Sequence, residues 1–223
     1  MTNNEAKTHK TAAPRPCVFL DRDGTVTREA GYINHPDRLA LEPGAGAAIR
    51  RLNRAGVLAV LVTNQAGLAR GYFSEAVLLA TLERLRQLLA ARGARLDAIY
   101  YAPYHPSAAD PHWRDDPGEL RKPGLGMIRK ARAALPIDMA RAYVVGDRHS
   151  DVTFAHKAGL PGIFVKTGYG LGEYTYQRAA WAEQPDCIAE DLRGAVAWIL
   201  GDLRKRTNTD EHGRQGQKKH ERA

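Results

Sequence analysis

Short apolar runs recur along the chain, and between them lie longer segments whose apolar residues fall three and four apart. The runs are residues 17–20 (Cys-Val-Phe-Leu), 57–62, 98–101, 142–145 and 163–165. Their continuous apolar character predicts strands covered on both faces. Residues 46–55 place Ala47, Ile49, Leu52 and Ala55 on one side of a helix that Gly56 ends. Ser74 is the predicted N-cap of a long helix carrying Leu78, Leu82, Leu85 and Leu89, closed by Gly93. Further helices are expected near 124–134, 151–158 and 191–200. Strands alternating with helices in this way predict an α/β fold with a largely parallel sheet. Residues 106–120, rich in Pro and Asp and without periodicity, read as an excursion loop.

Polar residues gather directly after these strands, where open α/β sheets bind ligands. Asp-Arg-Asp-Gly-Thr (21–25) follows the first run, Thr-Asn-Gln-Ala-Gly (63–67) the second, and Gly-Asp-Arg-His-Ser-Asp (146–151) the fourth. Arg-Lys-Pro-Gly (121–124) opens the helix before that fourth strand. Each segment alone also reads as a turn or a cap. Four of them in this order along the chain favour a site. Two carboxylates two residues apart, Asp21 and Asp23, suit a nucleophile and a proton carrier. Asp147 and Asp151 add hard oxygen ligands suited to magnesium. Thr63 and Lys122 offer a hydroxyl and an ammonium for the oxygens of a transferring phosphoryl group.

Composition narrows the partners. The 223 residues are 43% hydrophobic and 26% charged, and no apolar run approaches the length of a bilayer span. The first sixteen residues lack the apolar centre of a secretory signal, and Cys17 and Cys187 read as reduced side chains, so a cytoplasmic protein is expected. The net charge of +8 sits mostly at the ends: residues 1–16 carry +2, 201–223 carry +3, and 17–200 carry +3. The expected organisation is therefore a disordered tail over 1–16, one domain over 17–200 and a basic disordered tail over 201–223. A pI near 9.6 raises a nucleic-acid binder or nucleic-acid-end phosphatase as an alternative. With 7% aromatic residues and no interleaving of aromatic and basic positions, nucleic acid is not the expected partner.

Taken together, Phe-Leu-Asp-Arg-Asp-Gly-Thr-Val, Thr-Asn-Gln-Ala-Gly-Leu-Ala-Arg-Gly, Leu-Arg-Lys-Pro-Gly and Val-Val-Gly-Asp-Arg-His-Ser-Asp resemble the haloacid dehalogenase superfamily of aspartate-nucleophile phosphohydrolases, over roughly residues 17–200. Within it they are similar to the phosphatases of heptose 1,7-bisphosphate and of histidinol phosphate. The resemblance implies a Rossmann-like domain without a large cap, acting as a monomer on a small phosphorylated metabolite. It implies release of the 7-phosphate of the heptose, with histidinol phosphate as the alternative. It makes Asp21 the nucleophile and Asp23 the general acid and base. Magnesium would be held by Asp21, the Asp23 carbonyl and Asp147, with Asp151 behind them. Thr63 and Lys122 would stabilise the phosphoryl group. Glu29, Gly31, Tyr32, Asn64, Gln65, Arg121 and Arg148 would line the substrate pocket.

The sequence departs from these relatives in one place. Many carry a structural zinc in the loop before the lysine, bound by a Cys-x-His and a Cys-x-Cys pair. The corresponding positions here are Ala102, Tyr104, Gly118 and Leu120, so zinc is not expected. Packing of Trp113 and the prolines of the loop are expected to hold it instead.

Overall fold

The computed structural model describes residues 12–108 and 110–220. Six strands form one parallel sheet: β1 (Arg15–Leu20), β2 (Leu58–Asn64), β3 (Ala98–Ala102), β4 (Ile137–Gly146), β5 (Gly162–Val165) and β6 (Cys187–Ala189), in the order β3-β2-β1-β4-β5-β6. The chain winds outward from β1 to β3, then crosses back to β4 on the other side of β1. This reversal leaves a crevice beyond the carboxyl ends of β1, β2 and β4, where the polar segments lie.

Alternation along β1 divides the core. Val18 and Leu20 face a layer formed by α1 (Ala45–Arg54), α3 (Glu75–Ala90) and α7 (Leu192–His220), with Ile49, Leu85 and Ile199 fully buried. Cys17 and Phe19 face the opposite layer, α4 (Gly126–Ala134) and α5 (His149–Lys157), against Met127, Ile128 and Phe154. Each large side chain buried this way contributes about 1.5–3 kcal/mol by removing apolar area from water. The Ser74 hydroxyl accepts from Val77 N at 3.4 Å, a long cap.

Several boundaries differ from the sequence reading. The inward face of α1 is Ala45, Ala48, Ile49 and Leu52, while Ala47 and Ala55 are exposed. Alanine fits either face of a helix, so it fixed the stripe poorly. β4 starts at Ile137, ahead of the apolar run, because Arg15 pairs with Ile137 at the sheet's near end. Strand β6 and the short helices α2 (Ala66–Ala69) and α6 (Gly170–Tyr176) carry too few residues to show a period. At the carboxyl end, packing continues beyond residue 200, where the sequence reading closed the domain. Leu203 is buried, Tyr143 donates to Asp202 at 2.8 Å, and Arg206 pairs with Asp202 at 2.6 Å. Residues 1–11 and 221–223 of the two expected tails lie outside the described residues.

The loop between β3 and α4 needs several internal ties. Trp113 lies 5.9 Å from Tyr104 and is packed against the core. Arg114 donates to the Ala108 carbonyl, and Leu120 is buried. Of the four positions set against the zinc ligands expected from the resemblance, Ala102 is fully buried at the end of β3, and the Gly118 carbonyl accepts from Arg129 at 2.8 Å.

Candidate active site

Leaving β1, the chain carries Asp21 straight out of the sheet: its N–H still donates to the Val145 carbonyl of β4 at 2.9 Å. The Asp21 side chain is 13% exposed. One of its oxygens accepts from Arg22 N at 2.8 Å and from the Lys122 ammonium at 2.9 Å. Its other oxygen has no protein donor among the described residues. The chain then folds back on itself, with Gly24 N donating to the Thr27 carbonyl and Val26 N to the Arg22 carbonyl. Gly24 has φ +74°, and a Cβ there would lie 2.0 Å from an Asp147 oxygen. The turn therefore requires glycine for both conformation and space.

Asp23 points to the same crevice but is heavily engaged. Arg22 binds it through two nitrogens at 2.9 and 2.7 Å, and Thr27 and Gln65 donate to it at 3.2 and 3.1 Å. Arg22 is 2% exposed. A charge buried so deeply needs this paired fork to offset its lost hydration.

From the end of β2 come Thr63, Asn64 and Gln65. Gln65 donates to the Thr63 hydroxyl at 3.0 Å, orienting it toward the crevice floor. Asn64, expected to touch substrate, uses both ends of its amide on the Lys122 backbone: its oxygen accepts Lys122 N at 2.9 Å and its nitrogen donates to Lys122 O at 3.2 Å. It lines the cavity while holding Lys122 in place. The Lys122 ammonium bridges Asp21 and Asp151, the latter at 2.6 Å. Burial pulls its pKa down, but the two carboxylates outweigh that and raise it, so it stays cationic.

Asp147 and Asp151 enter from the β4–α5 turn. Both Asp151 oxygens are occupied, by Lys122 and by Arg148 N at 3.3 Å. Asp147 accepts from Tyr169 N at 2.8 Å and is 1% exposed. Oxygens of Asp21, Asp147 and Asp151 lie within 4.8 Å of one another. Burial, then the neighbouring charges of Asp21 and Asp151, push Asp147 up to about 9. Burial also raises Asp21, partly countered by Lys122. Hard oxygen donors whose ionised forms repel one another this strongly fit a small divalent cation, which would let all of them stay charged.

Outside this floor the cavity, about 470 Å³, is lined by Glu29, Gly31, Tyr32, Arg70, Arg121 and Arg148 among others. All the residues named from sequence for the site line this one cavity. Sequence reasoning missed Arg22, Arg70 and Tyr169. Arg70 pairs with the Tyr32 hydroxyl and reaches His105 Nε2 at 3.0 Å. Tyr169 lies beneath the Arg148 guanidinium at 4.3 Å. An arginine just past a short helix carries no signal by itself, though Arg22, placed between two aspartates, could have been read as their partner. Asp110, Asp115, Asp116 and Glu119 of the loop do not line this cavity, so the loop supplies no acidic wall.

Known proteins are similar to this chain over most of its length. A family model described as HAD-hydrolase-like matches residues 119–195. The D-glycero-D-manno-heptose-1,7-bisphosphate 7-phosphatase of Thermosynechococcus vestitus is 44% identical over 198 residues, 86% of this chain and 100% of that protein. The D-glycero-beta-D-manno-heptose-1,7-bisphosphate 7-phosphatase of Escherichia coli is 37% identical over 186 residues, 81% of this chain and 97% of that protein. Among solved structures, D,D-heptose 1,7-bisphosphate phosphatase from B. bronchiseptica, complexed with magnesium and phosphate, matches with a TM-score of 0.72 at 34% identity, covering 84% of this chain and 99% of that one. With likeness of this extent over nearly the whole of those proteins, the chain belongs to the haloacid dehalogenase-like phosphatases.

Proposed function

We propose that this phosphatase removes the 7-phosphate of D-glycero-D-manno-heptose 1,7-bisphosphate through a phosphorylated aspartate. The observation that carries the chemistry is Asp21, aimed out of β1 with one oxygen held by Lys122 at 2.9 Å and the other without a protein donor among the described residues. A carboxylate oxygen of Asp21 attacks phosphorus as the bond to the sugar oxygen breaks, and Asp23 gives that oxygen its proton. Asp23, now ionised, takes a proton from water, whose oxygen attacks the phosphorus of the acyl phosphate. Inorganic phosphate leaves and Asp21 is regenerated. The Lys122 ammonium offsets the charge on the phosphoryl oxygens, and the Thr63 hydroxyl donates a hydrogen bond to them, as charge shifts onto them. Asp21, the Asp23 carbonyl and Asp147 would hold magnesium, which supplies positive charge to the phosphoryl group.

The substrate reading rests on the names of the similar proteins and on the cavity's outer wall. Arg70, Arg121 and Arg148 stand there, Arg148 paired with Glu173 at 3.2 Å, and Glu29 is the acid that lines this outer wall. Such a wall favours a substrate carrying a second anionic group over one carrying a cationic imidazole, and so disfavours histidinol phosphate. The free thiols, Cys17 buried and Cys187 half-buried, suit a reducing compartment such as the cytoplasm.

Asp23→Asn tests the two-step route. With an aryl phosphate, whose leaving group needs no proton, the first step should proceed and the second stall. Mass spectrometry should then find a phosphoryl group on the peptide containing Asp21. Undiminished turnover in that variant would remove Asp23 from the mechanism.

A further inference from the structure

The Arg121–Lys122 pair belongs to no strand or helix, yet it sets one cavity wall and part of its floor. Two side chains hold consecutive peptide N–H groups of this pair. Asn64 takes that of Lys122 at 2.9 Å, and Asp116 takes that of Arg121 at 2.6 Å. The other Asp116 oxygen accepts from Gly118 N at 3.3 Å, closing the intervening turn. Both oxygens of this half-buried carboxylate thus serve backbone N–H groups of its own loop.

Arg121 depends on that tie. It is half-buried, and its guanidinium makes one long hydrogen bond among the described residues, to the Tyr104 carbonyl at 3.4 Å. Burial and then the approach of Arg70 disfavour its charge, which Tyr32 and Asp116 only partly support. A guanidinium set against another cation and weakly held by protein acceptors must be positioned through its backbone. Asp110, Asp115 and Glu119, the other acids of the loop, are exposed, and none of them bonds to the Arg121 backbone among the described residues.

We infer that Asp116 is a positioning residue for specificity: by binding the Arg121 N–H it aims the guanidinium at the non-reacting end of the substrate, while Asn64 separately secures Lys122 for the chemistry. This rests on the proposed bisphosphate substrate, which has an anionic end remote from the scissile bond. A small displacement of such a group weakens only the interactions made with that remote end. The two tethers should therefore separate, Asp116 governing selectivity and Asn64 governing turnover.

The test is steady-state kinetics of Asp116→Ala with magnesium on heptose 1,7-bisphosphate and on p-nitrophenyl phosphate, beside hydrogen exchange at the Arg121 amide. The expected result is a loss of about tenfold or more in kcat/KM for the bisphosphate, mostly in KM. The aryl phosphate should change less than about twofold, and the Arg121 amide should exchange faster. Asp116→Asn, which keeps one accepting oxygen, should recover part of the loss. Equal losses on both substrates would mean that Asp116 merely supports the loop, and no change on either would remove its role; both outcomes overturn the inference. If wild-type protein does not prefer the bisphosphate, the substrate reading fails by itself, and the amide exchange still reports whether Asp116 holds Arg121.

Discussion

A methyl group on Gly24 would occupy the space of an Asp147 oxygen, and a Cβ on Gly168 would lie 2.3 Å from that same oxygen. Two glycines thus press the backbone around one buried carboxylate, which accepts from the Tyr169 N–H. Gly24→Ala should therefore cost about 1–3 kcal/mol in thermal unfolding, because it combines a left-handed φ with a clash. It should also weaken magnesium activation, seen as a higher metal concentration for half-maximal phosphate release. An unchanged metal requirement would show that Asp147 tolerates displacement. At this scale much of the site was legible in the sequence, because Asp21, Asp23 and Asp147 follow strands and Lys122 precedes a helix in a readable order. What could not be read was how each is restrained. Arg22 looks like a solvated charge until the fold buries it against Asp23, and Asn64 looks like a substrate contact until its amide is seen on the Lys122 backbone.

Among the elements, α5 both presents Asp151 to the site and anchors the segment leading into β6. His156, near its carboxyl end, meets Glu183 through Nδ1 at 2.8 Å and Asp186 through Nε2 at 3.0 Å. Asp186 also accepts from Gly162 N at 2.8 Å, joining β5 to the same knot. Two carboxylates on the two ring nitrogens favour the imidazolium. Burial opposes this, but the hydrogen bonds to Asp186 and Glu183 prevail and raise the His156 pKa above its ordinary 6.5. A raised folded pKa gives stability that is fully present below 6.5 and is lost as pH rises through the folded value. His156→Gln should therefore cost about 1 kcal/mol in urea unfolding at mildly acidic pH and much less in alkaline buffer. A cost that stays constant across that range would show that the ring contributes packing alone. The sequence could not reveal this knot: β6 is three half-buried residues, too short for a pattern, and is held by β5 and the Asp186 turn.

For the molecule as a whole, the sheet's reversal at β1 decides where chemistry occurs, and the alternation of apolar runs and helices made that visible from sequence. The carboxyl boundary was less visible, because residues 201–206 look polar while Leu203, Asp202 and Arg206 all engage the body. A chain ending at Leu200 should be less stable than one ending at Arg206 by about 2–4 kcal/mol, the combined loss of a buried leucine and a hydrogen-bonded tyrosine. Equal denaturation midpoints would return the domain's end to residue 200. No helix among the described residues is long and apolar enough to cross a membrane, and what the cavity at the sheet's reversal hydrolyses decides the molecule's function. The most direct measurement is phosphate release by the protein and its Asp21→Asn variant, with and without magnesium. The panel should hold heptose 1,7-bisphosphate, histidinol phosphate, other sugar phosphates and a 3′-phosphorylated oligonucleotide. The account predicts that the bisphosphate is preferred by orders of magnitude, loses its 7-phosphate, requires magnesium, and is not turned over by a folded Asp21→Asn protein. Comparable release by that variant would contradict the central claim, whichever substrate it favoured.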